Sequence, residues 1–455
     1  MERVLAPIAA DAKLWQAKQR NSRLPRLPDR LRNPAPVAFP VKGCLVQRRD
    51  PQFDEFHLCF RPRDRRRAFF STGKQDNHAL LCFKVEIAMR PLTLGYSVAD
   101  QSLRQSKSIG ILNVSLGLLP ALAARGELSS IIAFSNASLG VPPGVQVQTH
   151  DAVADNRLAR LWWDQAGVYR CAKKAGCDWL LLLKGFSSFL VRPPVKLAVY
   201  VHDAMHDFYR SQYPGGFSGF EKWYFARAFA ATLRHADLIF TNSTFTAEEV
   251  KRMTQKLGLP APRTVVAGVG FPAVSGPLPA KENIIAVPVS VWPHKLTARA
   301  VAWLARWQSK SSYSGSISLV GSLPKAFVLP SFSNWRHFPR VPNVQFNDLL
   351  ARSRVLVYFS EYEGFGMPPI EALLHGVAPV YSRIPAMTET SAGFGFPFDN
   401  DDYASFEAGL NGALACPASQ IIFWAGDLAR RHTWAAAAER VAVTLAELRD
   451  TPRRA

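Results

Sequence analysis

The stretch "EYEGFGMPPIEALLHG", residues 361–376, decides the reading. It follows the apolar run "VLVYFS", residues 355–360. A short apolar run of that kind is a strand buried on both faces, so Glu361–Gly366 lie at a strand's carboxyl end. Open α/β sheets bind their ligands there. Gly364 and Gly366 let the backbone approach a ligand closely. Pro368 and Pro369 fit a first helical turn, where a missing N–H costs little. The helix then runs to Gly376, a C-terminal stop. Its N-terminus offers free N–H groups and partial positive charge, which suit a phosphate. Glu363 stands in the loop and Glu371 about one turn inside the helix, with seven residues between them. An ionised carboxylate only accepts hydrogen bonds, which matches sugar hydroxyls that donate. A glutamate in a first turn is also ordinary dipole complementation. The loop, the prolines and the strand end lift the pair above that.

The surrounding chain alternates short apolar runs with helical patterns. "LTLGYSV", "SSIIAF", "DWLLLL", "KLAVYVHD" and "DLIFTNS" read as strands of a first sheet. "SIGILNVSLGLLPALAARG", "RLARLWWDQAGVYRCAKKAG", "FEKWYFARAFAATLRHA" and "TFTAEEVKRMTQKLG" read as helices, the last with Thr244 as N-cap. A Pro/Gly-rich stretch near 268–283 is the linker. Strands resume with "IIAVPVSV", "SISLVGS", "VLVYFS" and "GVAPVYS". The fold class is therefore α/β: two Rossmann-like, doubly wound halves facing a central cleft. The expected division is residues 1–88 as a basic extension, 89–270 as an N-terminal domain, 271–425 as a C-terminal domain, and 426–455 as a closing helical segment packing back on the first domain.

Composition bounds the rest. The 455 residues suffice for two or three domains, and 48% hydrophobic with 20% charged content is globular. No apolar run long enough to span a membrane stands out. The six cysteines form no CxxC and no Cys/His cluster of zinc spacing, so the reading is free thiols in a cytoplasmic setting with no metal. The net charge is +20, of which residues 1–88 carry about +9. A folded enzyme beginning near Met89, after a poorly ordered or non-native extension, is the expectation. A basic surface meets anionic lipid, nucleic acid or a phosphate-bearing substrate, or simply reflects an Arg-rich genome.

"SEYEGFGMPPIEALLHGVAPVYSRIPAMTE" resembles the E-x7-E signature of retaining GT-B glycosyltransferases, in particular glycosyltransferase family 4 (group 1). "YVHDAMHDFYRSQYP", "ADLIFTNSTFTAEEV", "SVWPHK" and "RHTWAAAAERV" resemble further family segments in the same order. The likeness covers Met89 to about Leu448. It implies that Glu371 binds the nucleotide's ribose and that Glu363 lies near the donor sugar. The loop of Gly364, Phe365, Gly366 and Met367 would contact sugar and diphosphate through its amides, and Lys295 would neutralise the diphosphate. His202 would sit beside the reaction centre. Asp203 and, more loosely, Gly110 would lie on the acceptor side. Lys184 and Ser243 are cleft candidates, and Asn242 is a turn residue. Two departures stand out. The family's Arg before the lysine is missing, which leaves His294 or another residue to help. Its Asn or Gly after the lysine is Leu296.

The implied activity is transfer of a hexose, with retention, from a GDP- or UDP-linked donor, and no metal is required. Mannose from GDP-mannose is the first expectation. The acceptor is a cell-surface glycan or lipid-linked oligosaccharide, reached by a cytoplasmic enzyme in peripheral contact with an anionic membrane. Two alternatives stand beside it: a glycogen- or sucrose-synthase-like transferase with a soluble acceptor, and a non-catalytic basic binding protein.

Overall fold

The computed structural model describes residues 92–102, 109–274 and 276–454. All of them fall in one unit, Ala88–Ala455. The extension expected over residues 1–88 lies outside the described residues.

The first lobe is a seven-stranded sheet: β1 (Leu92–Ser97), β2 (Leu128–Ser135), β3 (Gln146–Thr149), β4 (Trp179–Leu182), β5 (Lys196–Val201), β6 (Leu238–Thr241) and β7 (Thr264–Val266). The spatial order is β3-β2-β1-β4-β5-β6-β7, and every pairing is parallel. The second lobe has six strands: β8 (Ile284–Pro288), β9 (Ser316–Val320), β10 (Trp335–Phe338), β11 (Val355–Tyr358), β12 (Ala378–Ser382) and β13 (Phe396–Phe398). Their order is β10-β9-β8-β11-β12-β13, again all parallel. Each sheet reverses its winding once, between β1 and β4 and between β8 and β11. Those switch points open the crevices in which such sheets hold ligands. The central strands are apolar along their length because helices cover both faces: β4 and β11 are buried at every residue.

Four strands carry no clear signal in the sequence: β3, β7, β10 and β13. They are the four sheet edges. The helix expected over "RLARLWWDQAGVYRCAKKAG" is interrupted by a π-turn, Trp163–Gly167, between Arg157–Trp162 and Val168–Lys174. Trp163 and Gln165 are buried within it. Gln165 bonds Tyr224 Oη (3.1 Å) and accepts from the Phe189 amide (3.1 Å), so the wider turn aims a polar side chain inward. Thr244 is not the cap of its helix. Ser243 is, accepting from the Thr246 amide.

The chain ends in two helices, Ala418–Arg431 and Trp434–Glu447, divided where Thr433 caps the second. The first packs beside Met367–Leu374 in the second lobe. The second returns to the first lobe and packs on Ile109–Ala123. Trp179 Nε1 donates to Leu445 O (3.1 Å), Arg440 Nε donates to Ala267 O (2.9 Å), and Arg449 pairs with Asp178 (3.1 Å). The helices meet closely because residue 117 is glycine. A Cβ there would lie 2.3 Å from the Trp434 indole. Gly117→Ala should therefore lower stability by about 1–3 kcal/mol, the usual range for overpacking. Urea unfolding checks this, with a lower midpoint and an unchanged slope expected.

Candidate active site

The loop between β11 and the Met367–Leu374 helix faces the end of β5. It is fastened there by backbone. Gly364 O accepts from Ser243 Oγ (2.5 Å) and Thr246 Oγ1 (3.0 Å), while Phe365 O accepts from Thr390 Oγ1 (2.7 Å). On the facing lobe, His202 O accepts from Asn242 Nδ2 (2.9 Å) and Thr246 Oγ1 (3.2 Å). A Cβ on residue 364 would stand 1.7 Å from His202 O, so only glycine permits the approach. Gly366 has φ +83°, the left-handed region, and a Cβ there would also strike Met387. Pro368 and Pro369 carry no N–H, so the free amides at the start of this helix are those of Gly366 and Met367. The Phe365 side chain is buried against Phe271 and His432, which leaves the loop backbone as its contribution to the cleft. Gly110 lies in the first turn of the Ile109–Ala123 helix opposite, where a Cβ would lie 4.0 Å from Met367 Sδ.

Lys295 follows β8, in a short 3₁₀ turn (Pro293–Lys295). Its ammonium is paired with Glu363 and donates to Tyr358 Oη (2.7 Å), and Tyr358 Oη donates to Glu363 Oε1 (2.8 Å). Burial alone would raise the Glu363 carboxyl, but the Lys295 charge and the two hydrogen bonds hold it below its ordinary value. Glu371 has the opposite environment. No group among the described residues hydrogen-bonds its carboxyl, and burial pushes it up to about 7. The two glutamates of the opening stretch thus differ in kind: one is a fixed anion, the other a carboxyl that changes charge near neutral pH.

His202 Nε2 lies 2.7 Å from Leu183 O, and since a carbonyl only accepts, that nitrogen carries the proton. Burial pushes the ring down to about 4, so it is neutral and its Nδ1 is a lone-pair nitrogen. Asp203 Oδ1 accepts from the Met205 amide (2.9 Å), with its carboxyl raised by burial. His294 stands next to Lys295 as a neutral ring. Its ring is buried, Nδ1 is bonded to Tyr209 Oη (2.6 Å), and burial pushes it down to about 4. Leu296 occupies a left-handed conformation (φ 50°, ψ 33°), which accounts physically for the Asn or Gly of the resembled pattern.

Lys184 pairs with Asp100 at the β1/β4 switch point. With Ser97, Trp163, Asp164 and Leu183 they line a cavity of about 30 Å³. Burial and the nearby Asp100 push Asp164 up to about 7. Leu183 also holds His202, so this cavity adjoins the histidine. Tyr358, Tyr209 and Glu389 are not legible from local spacing; Glu389 accepts from the Thr244 and Phe245 amides across the lobes (2.6 and 2.8 Å). Each acts through a tertiary contact that no local spacing encodes. Among the described residues no three His, Cys, Asp or Glu side chains are grouped to hold a metal, and no helix is long and apolar enough to cross a membrane.

Residues 333–437 match the family model for glycosyl transferases group 1. The matched span contains the Glu363–Glu371 segment. No curated protein matches the chain. Solved structures match the fold across both lobes. Sucrose-phosphate synthase from Thermosynechococcus elongatus has a TM-score of 0.59 at 16% identity, covering 78% of this chain and 99% of that one. Anabaena Alr3699/HepE, in complex with UDP and glucose, has a TM-score of 0.54 at 16% identity, covering 78% and 100%. A UDP-forming α,α-trehalose-phosphate synthase from Burkholderia xenovorans has a TM-score of 0.54 at 10% identity, covering 79% and 99%. The architecture is the GT-B fold.

The Lys295–Glu363 pair is mostly buried, at 21% and 14% side-chain exposure. Removing one partner strands the other. Lys295→Ala should cost about 3 kcal/mol, and Lys295→Ala/Glu363→Gln should recover much of that loss. A denaturation cycle of the four proteins measures the coupling, and additive losses would contradict it.

Proposed function

We propose that this chain is a retaining hexosyltransferase using a nucleoside-diphosphate sugar. The observation that carries the reading is the Glu363–Glu371 segment at the switch point of the second sheet, inside the span matched to glycosyl transferases group 1. Glu371 accepts from the ribose hydroxyls. The Gly364–Met367 amides, with the positive end of the following helix's dipole behind them, meet the diphosphate and the donor sugar. Lys295 exchanges part of its contact with Glu363 for a phosphate oxygen as the glycosidic bond breaks, which places a fixed positive charge where negative charge develops. Neutral His202 offers Nδ1 as an acceptor for a sugar hydroxyl. The bond from the anomeric carbon to the diphosphate breaks, the acceptor oxygen bonds to the same face, and the acceptor's proton passes to the departing phosphate. Glu363 is engaged by Lys295 and Tyr358, which argues against it as a covalent nucleophile.

A UDP-linked donor is favoured by what the structural neighbours are described with: UDP and glucose, and UDP as a product. GDP-mannose, the first expectation from sequence, draws no support from them. A soluble sugar acceptor fits as well as a lipid-linked one, since the neighbours include sucrose-phosphate and trehalose-phosphate synthases.

A thermal-shift panel of UDP, GDP, ADP and their hexose conjugates tests the reading. One base should raise the melting temperature by mass action, and Glu371→Ala should abolish the rise. Silence across the panel, with no sugar transferred from any donor, would overturn it. The pH dependence has a definite sign. Glu371's folded value lies above its unfolded one, so its contribution to stability is present at low pH and is lost as pH rises through about 7. Hydroxyl donors favour the ionised form. Nucleotide affinity should therefore rise with pH across about 6–8 and then level off, and Glu371→Gln should flatten the curve. Calorimetric titration across that range checks both.

A further inference from the structure

His294 is tied in three directions. Its ring Nδ1 is bonded to Tyr209 Oη (2.6 Å), on the Met205–Gln212 helix of the first lobe. Its carbonyl accepts from the Glu361 amide (2.8 Å), in the loop that carries Glu363. Its neighbour in the chain is Lys295, whose ammonium is paired with Glu363. One residue thus joins the cation of the cleft, the loop of its acid and the opposite lobe.

The second observation is the fit around Tyr209. Its side chain is buried, and its ring lies against Phe217 (5.0 Å between centroids) and Tyr213 (5.4 Å). Across the lobes it meets Trp292 edge-on (5.8 Å, 82°). A Cβ on residue 216 would stand 2.5 Å from Tyr209 Cδ1, so the glycine there lets the loop close over the ring. The hydroxyl therefore has a fixed place. Tyr213 Oη, at the end of the same helix, donates to Glu361, so a second hydroxyl of the first lobe grips the same loop. The Tyr209–His294 contact is neutral, and it adds no charge to compete with Lys295 for Glu363.

We propose that Tyr209 is a positioning residue for Lys295, which takes the leaving diphosphate on the transferase reading, and that it acts through the His294 ring. The tip of Lys295 is held by Glu363 and Tyr358, both in its own lobe. His202 stands in the other lobe, just before the helix of Tyr209. The Tyr209–His294 bond ties the turn of Lys295 to that helix and so fixes the cation against His202. Misplacement of a reacting group by about 1 Å costs about a hundredfold in rate, so a single buried contact of this kind is enough to matter.

The test uses Tyr209→Phe, which keeps the ring packing and removes the hydroxyl. UDP release from UDP-glucose is followed in the full chain. The kcat falls about tenfold to a hundredfold while KM changes by less than about threefold, since Lys295 gains most as the bond breaks. His294→Leu does the same, and Tyr209→Phe/His294→Leu loses no more than either alone, as residues acting through one contact do. His294→Asn, whose amide occupies the Nδ1 position, restores part of the rate. Amide exchange gives a readout that needs no donor. The Lys295 and Leu296 amides are bonded to Trp292 O (3.0 Å) and Pro293 O (3.0 Å), and they exchange about tenfold faster in Tyr209→Phe while β4 and β11 exchange as in the native chain. A native chain that releases no UDP counts against the transferase reading, and the exchange comparison still decides the anchor. The proposal is overturned if exchange over residues 289–297 is unchanged or rises only in step with the whole chain, or if an active chain keeps its kcat in Tyr209→Phe.

Discussion

Residue 364 has no room for a side chain, and the cleft is built around that fact. The carbonyl of His202 lies where a Cβ would be. The two lobes meet there backbone to backbone, with Ser243 and Thr246 fastening one side to the other. Ser243 and Thr246 are short side chains donating to backbone carbonyls, so they position the loop at a smaller entropic cost than long side chains would. Ser243 caps its own helix as well as holding Gly364, and Glu389 reaches across to the same helix start. One helix N-terminus is thus closed off by the opposite lobe. The Met367–Leu374 helix, by contrast, begins at Gly366 with no side-chain cap. The asymmetry leaves the second N-terminus uncapped by side chains and commits the first to architecture.

The central strands were legible because their chemistry is local. β4, β8 and β11 are apolar along their length, and β1 and β5 nearly so, a pattern that points to a parallel sheet covered on both faces. The opening loop was legible for the same reason: glycines, prolines and a strand end are adjacent in the chain. What could not be read is what tertiary contact decides. The edge strands β3, β7, β10 and β13 are three or four residues long, and β3 is exposed throughout, so no periodicity announces them. The π-turn at Trp163–Gly167 looks helical in sequence, and its wider turn brings Gln165 to partners elsewhere in the lobe. Tyr358 was unreadable as a site residue. It is an ordinary strand residue until the fold brings Lys295 beside it.

The net charge of +20 tells little about the cleft. Lys295 is offset by Glu363 and Lys184 by Asp100, while His202 and His294 are neutral. The cleft is close to neutral although the chain is strongly basic. For a transferase this arrangement has a consequence. A lysine already satisfied by a carboxylate gains little from a ground-state diphosphate, whose charge is shared along the chain of phosphates and with the sugar bond intact. It gains more as the bond breaks and charge accumulates on the leaving oxygen. Interactions that strengthen on the way to the transition state accelerate a reaction, and those equal in both states do not. Under the proposed reaction Glu363 tempers Lys295, and an arginine beside the lysine would add uniform binding more than catalysis.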